Sequence, residues 1–244
     1  MEIATIYKYF LQTTGIATDN RKSNTDNLFV ALKGENFNGN KFALSALENG
    51  AKFALIDEEA YKIDDRFILV KNSLTALQQL ASYHRNQLNI TIIGLTGSNG
   101  KTTTKELINA VLSQKFKTKA TIGNLNNHIG VPLTLLSFDS TTEMGIVEMG
   151  ANHQKEIEML CRIWQPDFGY ITNFRKEHLE GLGGTEGVIK GKSELYEYLS
   201  SNQKTAFVNT EDTIQNEKTA TINRITFGIN NAANFVNITK IETN

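Results

Sequence analysis

From Ile90 onward, short apolar runs alternate with amphipathic stretches, and this rhythm leaves few folds open. Residues 90–93 read as a strand, followed by a glycine-rich loop and a helical pattern over about 101–114. Gly145-Ile146-Val147 precedes a helical stretch opened by Asn152. Residues 168–172 precede a loop and a helix over 185–199, and 206–208 and 224–227 read as further strands. Repeated strand–helix units predict a parallel sheet, because parallel neighbours need crossover connections and the helices cover both faces. Ligands of such sheets bind beyond the carboxyl ends of the strands. The loops after Ile93, Val147 and Thr172 are therefore expected to line one site.

The first of those loops is chemically distinctive. Gly94-Leu95-Thr96-Gly97-Ser98-Asn99-Gly100-Lys101-Thr102-Thr103-Thr104 sits at a strand-to-helix junction. Glycines there let successive N–H groups converge on an anion, and the helix N-terminus adds its positive end. Lys101 is placed to bridge β- and γ-phosphates, and the Thr102 hydroxyl to reach Mg²⁺. The strict phosphate-loop pattern fails at one position, where Leu95 replaces the first glycine. The fold class expected is α/β. A small N-terminal α/β domain (1–86) precedes a phosphate-loop mononucleotide-binding domain (87–244) with a mainly parallel sheet flanked by helices.

Two further features fall near the same sheet edge. Glu148 ends the strand 145–147, where a carboxylate suits a hard cation that takes oxygen ligands; a solvated strand-end Glu is the competing reading. In the helix 185–199, Lys192 lies on the apolar stripe with Val188, Leu195, Tyr196 and Leu199. Lys190 shares the opposite, polar face with Glu194 and Glu197. An inward lysine must extend to solvent, find an acid or lose its charge. Just upstream, His178 stands in a glycine-rich loop, where a metal or phosphate contact is the expectation and a lone surface or core histidine the competing reading.

Ahead of this region, 27–32 reads as a buried strand before a Gly/Asn turn region at 34–40. A helix over about 42–49 stops at Gly50, and strands follow at 51–55 and 66–70. A helix opened by Ser73 carries Leu77, Ala81, His84 and Leu88 on one face and leads into the second domain. A net charge of -1 points to neither nucleic acid nor an anionic membrane as partner. No apolar run approaches the ~20 residues of a membrane span, and the N-terminus has no signal-peptide pattern, so a cytoplasmic protein is expected; a monomer is the expected state. The single cysteine, Cys161, excludes an internal disulfide. It shares a helical stripe with Ile157, Leu160 and Trp164, as a core thiol would.

Several of these segments together resemble the Mur ligase family, whose members build bacterial cell-wall precursors. They are Gly97–Thr103, Asn124-Leu125-Asn126-Asn127-His128-Ile129-Gly130, Glu148-Met149-Gly150-Ala151-Asn152-His153, His178-Leu179-Glu180-Gly181 and Lys192-Ser193-Glu194-Leu195-Tyr196. Near the start, Thr18-Asp19-Asn20-Arg21 and Leu28–Gly34 are similar to the family's UDP-sugar-binding domain. The pattern is nearest to members that add D-alanyl-D-alanine. The resemblance implies ATP and Mg²⁺ as cofactors, and UDP-MurNAc-tripeptide and D-alanyl-D-alanine as substrates joined through an acyl phosphate. It assigns nucleotide contacts to Gly97, Ser98, Asn99, Gly100, Lys101, Thr102 and Thr103, with Asn126 and Asn127 near the reacting phosphate. Thr102 and Glu148 would hold one Mg²⁺, and His178 and a carbamylated Lys192 a second. Lys101, Glu148, His178 and Lys192 would be the catalytic set. Asp19, Asn20 and Arg21 would meet the UDP moiety, against the simpler reading of a polar turn.

The chain departs from the family at Asn20, where a small hydroxyl residue is usual, and at Phe174-Arg175-Lys176-Glu177 before the histidine. It is also about half the family's usual length. The expectation is a chain that binds nucleotide without completing ligation, the amine-binding domain being absent. A folylpolyglutamate-synthase-like ligase, another Mur-type ligase and a binding-only phosphate-loop module are the alternatives.

Overall fold

The computed structural model describes residues 1–22, 25–175 and 182–242, which form two compact units. The first comprises residues 1–88 with 132–139, and the second 89–131 with 140–244.

In the first unit, α1 (Ile3–Phe10) precedes β1 (Ile16–Ala17), β2 (Leu28–Val30) and a short hairpin of β3 (Lys33–Gly34) and β4 (Phe37–Asn38). Then come α2 (Ala43–Glu48), β5 (Phe53–Ile56), β6 (Phe67–Leu69) and α3 (Ser73–Gln87). The strands β1-β2-β5-β6 form a four-stranded sheet, parallel throughout. Its core is Phe29, Ala31, Ala54, Ile56 and Phe67 against Ala43, Ala46 and Leu47 of α2. The alanines let the short helix lie close to the strands. The helix stops where Gly50 takes φ +108°, a conformation costly for any residue with a Cβ.

Asp57, just past β5, ties this unit together. Its carboxylate accepts from the Lys33 ammonium at 2.9 Å, the Asn40 amide at 2.8 Å and the Ser73 N–H at 3.1 Å. Burial pushes its carboxyl up, and these donors outweigh burial, leaving it below the usual carboxylate range. Asn72 caps α3 by accepting from Thr75 N–H at 2.8 Å. The buried face of α3 is Ala76, Leu77, Leu80, Ala81 and His84. Leu88, expected on that face, lies one residue beyond the helix and is only half-buried, because the helix ends at Gln87.

The second unit runs β7 (Thr91–Thr96), α4 (Lys101–Leu112), β8 (Thr118–Ala120), α5 (Gly130–Leu136) and β9 (Met144–Glu148). It continues through α6 (Glu156–Trp164), β10 (Phe168–Ile171), α7 (Gly184–Ser201), β11 (Thr205–Asn209), α8 (Thr213–Lys218), β12 (Asn223–Ile229) and β13 (Val236–Ile238). From Pro132 onward α5 belongs to the first unit. The seven strands lie in the order β13-β12-β11-β10-β7-β9-β8, and every pairing is parallel. Central β7 pairs Leu95 with Glu148 and Thr96 with Ile171. That register carries the glycine loop, Glu148 and Thr172 to one edge of the sheet. The α/β architecture and parallel sheet expected from the alternation are those observed.

Two local expectations are corrected. The helix after β9 begins at Glu156 rather than Asn152, because the Asn152 and His153 N–H groups donate to the Glu156 carboxylate (2.6 and 3.1 Å) in a turn. Glu194 is not on a solvated face with Lys190; it is 2% exposed. Its carboxylate accepts the N–H groups of Lys155 (2.6 Å) and Glu158 (3.0 Å), at the start of α6. Those amides have no partner inside their own helix, and a buried anion satisfies them. Cys161 is buried on α6, where desolvation pushes its thiol up and keeps it protonated, as the core reading requires. Among the described residues no helix is long and apolar enough to cross a membrane.

Candidate functional site

The glycine loop between β7 and α4 is held from outside by the segment that follows β10. Ser98 N–H donates to the Asn173 carbonyl (3.0 Å) and Ser98 Oγ to the Arg175 carbonyl (2.5 Å). The Asn99 carbonyl receives both the Thr172 hydroxyl (2.7 Å) and the Asn173 amide (2.9 Å). Gly97 and Gly100 adopt positive φ, +145° and +76°. At Gly97 the conformation is only part of the requirement. A Cβ there would overlap the Thr172 hydroxyl and come within 2.9 Å of the Thr172 nitrogen, whereas Gly100 has open space around it.

These two glycines therefore predict different losses. Gly97→Ala should destabilise the second unit by about 2–4 kcal/mol, combining backbone strain with the collision. Gly100→Ala should cost only ~1 kcal/mol, from strain alone. Urea unfolding of the two variants checks this, and equal losses would show that the approach to Thr172 is unimportant.

Lys101 opens α4, and its ammonium folds back onto the Gly97 carbonyl (2.8 Å) and the Ser98 carbonyl (3.1 Å). A phosphate entering the loop would offer it a stronger, charged acceptor. Thr102 follows, donating through Oγ1 to Glu148 Oε2 at 2.9 Å. The other carboxylate oxygen, Glu148 Oε1, receives the Asn126 amide at 2.9 Å. Glu148 is 2% exposed, and its N–H donates to Thr121 Oγ1 at 3.0 Å. The carboxylate is thus fixed at both oxygens and at its backbone, while Thr102 remains open to solvent. A hydroxyl and a carboxylate oxygen side by side, with room for water and phosphate oxygens, suit Mg²⁺. Among the described residues no group of three or more His, Cys, Asp or Glu is placed to hold a metal ion.

Asn126 also closes the loop after β8, its carbonyl accepting from Gly150 N–H at 2.8 Å. Asn127 turns its Oδ1 to the Ile129 and Gly130 N–H groups (3.0 and 2.9 Å), capping α5. Lys101, Asn126, Asn127 and Gly150 line a cavity of about 300 Å³ together with Asn152 and Glu156. At Glu156 burial pushes the carboxyl up, but the Asn152 and His153 N–H groups prevail and hold it below its ordinary range.

The structure brings Lys101, Thr102, Glu148 and Asn126 together at one sheet edge, while Thr103 lies exposed on the first turn of α4. Lys192 is on the buried face of α7, 2% exposed, and so does not extend to solvent; Lys190 is exposed. His178 lies outside the described residues. In the first unit, Asp19 follows β1 and precedes a 3-10 turn, Asn20–Lys22, that holds Asn20 and Arg21. Arg21 pairs with Asp19 through two hydrogen bonds (3.0 and 2.8 Å), and the Asn20 amide donates to Ser45 Oγ of α2 at 3.0 Å. Sequence reading missed Thr121, Thr172 and Asn173, short polar residues whose partners are distant in the chain. It also missed Lys105, whose place on the inner face of α4 was visible from its spacing of four from Lys101.

A central parallel strand running through a glycine loop into Lys101-Thr102, with a fixed carboxylate on the adjacent strand end, defines a phosphate-loop nucleotide-binding protein. The Mur ligase middle domain matches residues 95–244, and the Mur ligase family, catalytic domain, matches 12–85. The chain belongs to the Mur ligase family. UDP-N-acetylmuramoyl-tripeptide–D-alanyl-D-alanine ligase of Bacillus subtilis is 42% identical over 204 residues, covering 83% of this chain and 45% of that protein. The Escherichia coli ligase of the same name is 42% identical over 187 residues, covering 77% and 41%. The MurF ligase of Thermotoga maritima, solved in complex with ADP, superimposes with a TM-score of 0.79 at 32% identity, covering 89% of this chain and 51% of that one. The chain thus spans less than half the length of those two ligases.

Proposed function

We propose that this chain supplies the ATP-binding and UDP-sugar-binding domains of an ATP-dependent carbon–nitrogen ligase that joins D-alanyl-D-alanine to UDP-MurNAc-tripeptide. The observation that carries the reading is the Thr102–Glu148–Asn126 cluster beside Lys101, at the carboxyl edge of the parallel sheet. The names of relatives 42% identical to it support the substrate choice.

The chemistry asks the protein to position groups and neutralise charge. A carboxylate oxygen of the tripeptide attacks the γ-phosphorus of ATP, the bond to the bridging oxygen breaks, and ADP departs. The D-alanyl-D-alanine amine then attacks the acyl carbon, the bond to phosphate breaks, and inorganic phosphate leaves with the amine's surplus proton passing to solvent. The glycine loop and the start of α4 receive the phosphates, and Lys101 swings from the loop's carbonyls to the moving phosphoryl group. Thr102 and Glu148 would hold Mg²⁺, which supplies charge neutralisation when bound. Asn126 orients the Glu148 carboxylate, and Asn127 shapes the cavity beside it. His178 and a carbamylated Lys192 would hold a second ion.

Asp19, Asn20 and Arg21, at the carboxyl end of β1, take the UDP moiety, the site such sheets offer to ligands. The Asp19–Arg21 pair opens to present the guanidinium to a phosphate. The reading places the protein in the cytoplasm, acting as a monomer on small-molecule substrates.

Calorimetry with ADP in MgCl₂ and in EDTA tests the central claim. Mg²⁺ should strengthen binding by about tenfold or more, and Glu148→Gln should remove most of that increment. A folded chain that binds ADP equally in both conditions would refute the metal assignment, and one that binds no adenine nucleotide would refute the whole reading.

A further inference from the structure

The inner stripe of α4 contains a second lysine that phosphate binding does not use. Lys105 is 1% exposed, the one fully buried residue of its helix. Its ammonium donates to the Thr121 carbonyl at 2.6 Å and meets the Glu106 carboxylate at 2.9 Å. Removing an ammonium from water is expensive, and a Leu or Met would fill the same space without that penalty. The lysine therefore calls for an explanation beyond packing.

Thr121 supplies one. It follows β8, its N–H donates to the Ile146 carbonyl of β9 at 3.0 Å, and its hydroxyl accepts the Glu148 N–H at 3.0 Å. Five residues further along the same loop, Asn126 reaches the Glu148 carboxylate. Lys105 thus grips, through a single carbonyl, the segment that fixes Glu148 at its backbone and at one of its oxygens. Lys105 is also one helical turn from Thr102, the other oxygen donor. Both halves of the cation site are referred to the same helix.

We propose that Lys105 is a positioning residue for the Mg²⁺ site, setting through Thr121 the orientation of Glu148 relative to Thr102. The inference rests on the nucleotide–magnesium reading above. It separates two properties that simple packing would lose together: Mg²⁺-dependent affinity should depend on Lys105, and metal-free affinity for the loop should not.

The test is ADP calorimetry on the full chain, in MgCl₂ and in EDTA, for wild type, Lys105→Met, Thr121→Val and the double variant. Lys105→Met should cut the Mg²⁺ increment by about tenfold while affinity in EDTA stays within about twofold. Thr121→Val, which keeps the carbonyl and removes the hydroxyl that receives Glu148, should act in the same direction. The double variant should lose little more than either single one, as expected of residues in one chain of contacts. A full Mg²⁺ increment in Lys105→Met, or equal losses in both conditions, would overturn the proposal. If Lys105→Met fails to fold, a folded Thr121→Val with an undiminished increment overturns it instead. Glu148→Gln keeps the two readings apart. If it retains the wild-type increment, or wild type shows none, the metal site itself is wrong and the role of Lys105 falls with it.

Discussion

Lys101→Ala is expected to lower ATP affinity by about 10²-fold or more, to below calorimetric detection, while leaving the thermal unfolding transition in place. A hydrogen bond to a charged group contributes up to ~3 kcal/mol, which corresponds to about two orders of magnitude in affinity. The fold should survive because the loop is pinned independently of this side chain. Ser98 and Asn99 are tied to Thr172, Asn173 and Arg175 by bonds that the substitution does not touch. Lys101 rests on the Gly97 and Ser98 carbonyls, and its loss removes those two contacts while the others stay. Unchanged affinity in a folded variant would remove the phosphate-loop assignment.

In a full-length ligase carrying these domains, Lys192→Ala should reduce ligation by about 10²-fold, and Lys190→Ala should leave it within about twofold. The contrast follows from their positions on α7, one 2% exposed and the other in solvent. As a carbamate, the Lys192 amine bonds to the carbon of CO₂ and sheds a proton, turning a buried cation into an anion suited to a metal. In ¹³C NMR with labelled bicarbonate, wild type and Lys190→Ala should show a carbamate resonance that Lys192→Ala lacks. A short-chain carboxylate should partly restore ligation to the alanine variant. If Lys190→Ala were the damaged variant, or the resonance persisted without Lys192, the carbamate role would be wrong.

The strands and helices that sequence made legible are those whose apolar pattern serves their own packing. β7 and β9 are nearly continuous buried runs, β10 and β11 alternate buried with half-buried positions, and α7 carries its stripe openly. By contrast β8 is Thr118-Lys119-Ala120, half-buried throughout, and is a strand because β9 offers it an edge. In α5, Pro132 marks the first turn of a helix capped by Asn127, although the Asn-rich run reads as loop. Glu194 shows the limit of a helical wheel. It is polar by chemistry and buried by function, and its partners are backbone amides that leave no trace in side-chain spacing. In the site, Lys101, Thr102 and Glu148 were readable because phosphate and cation chemistry restricts their types. Thr121 and Thr172 were not, since a threonine's role here is set by which distant amide or carbonyl it meets.

The buried Glu194 carboxylate has a mechanical consequence. The leading turn of a helix is ordinarily free to fray on its own, but the start of α6 is fastened to α7. Gln154 adds to the fastening, its amide donating to the Leu182 and Gly187 carbonyls at 3.1 and 2.7 Å. The chain leaving Glu148 therefore runs only a few residues before it is clasped to the helix that carries Lys192. Asn152 and Glu156, which line the cavity beside Lys101, flank that clasp, so a change in the tilt of α7 is expected to be felt at the cavity wall. The helix that carries Lys192 and the cavity lined by Lys101, ninety-one positions away in sequence, thus share one clasped segment.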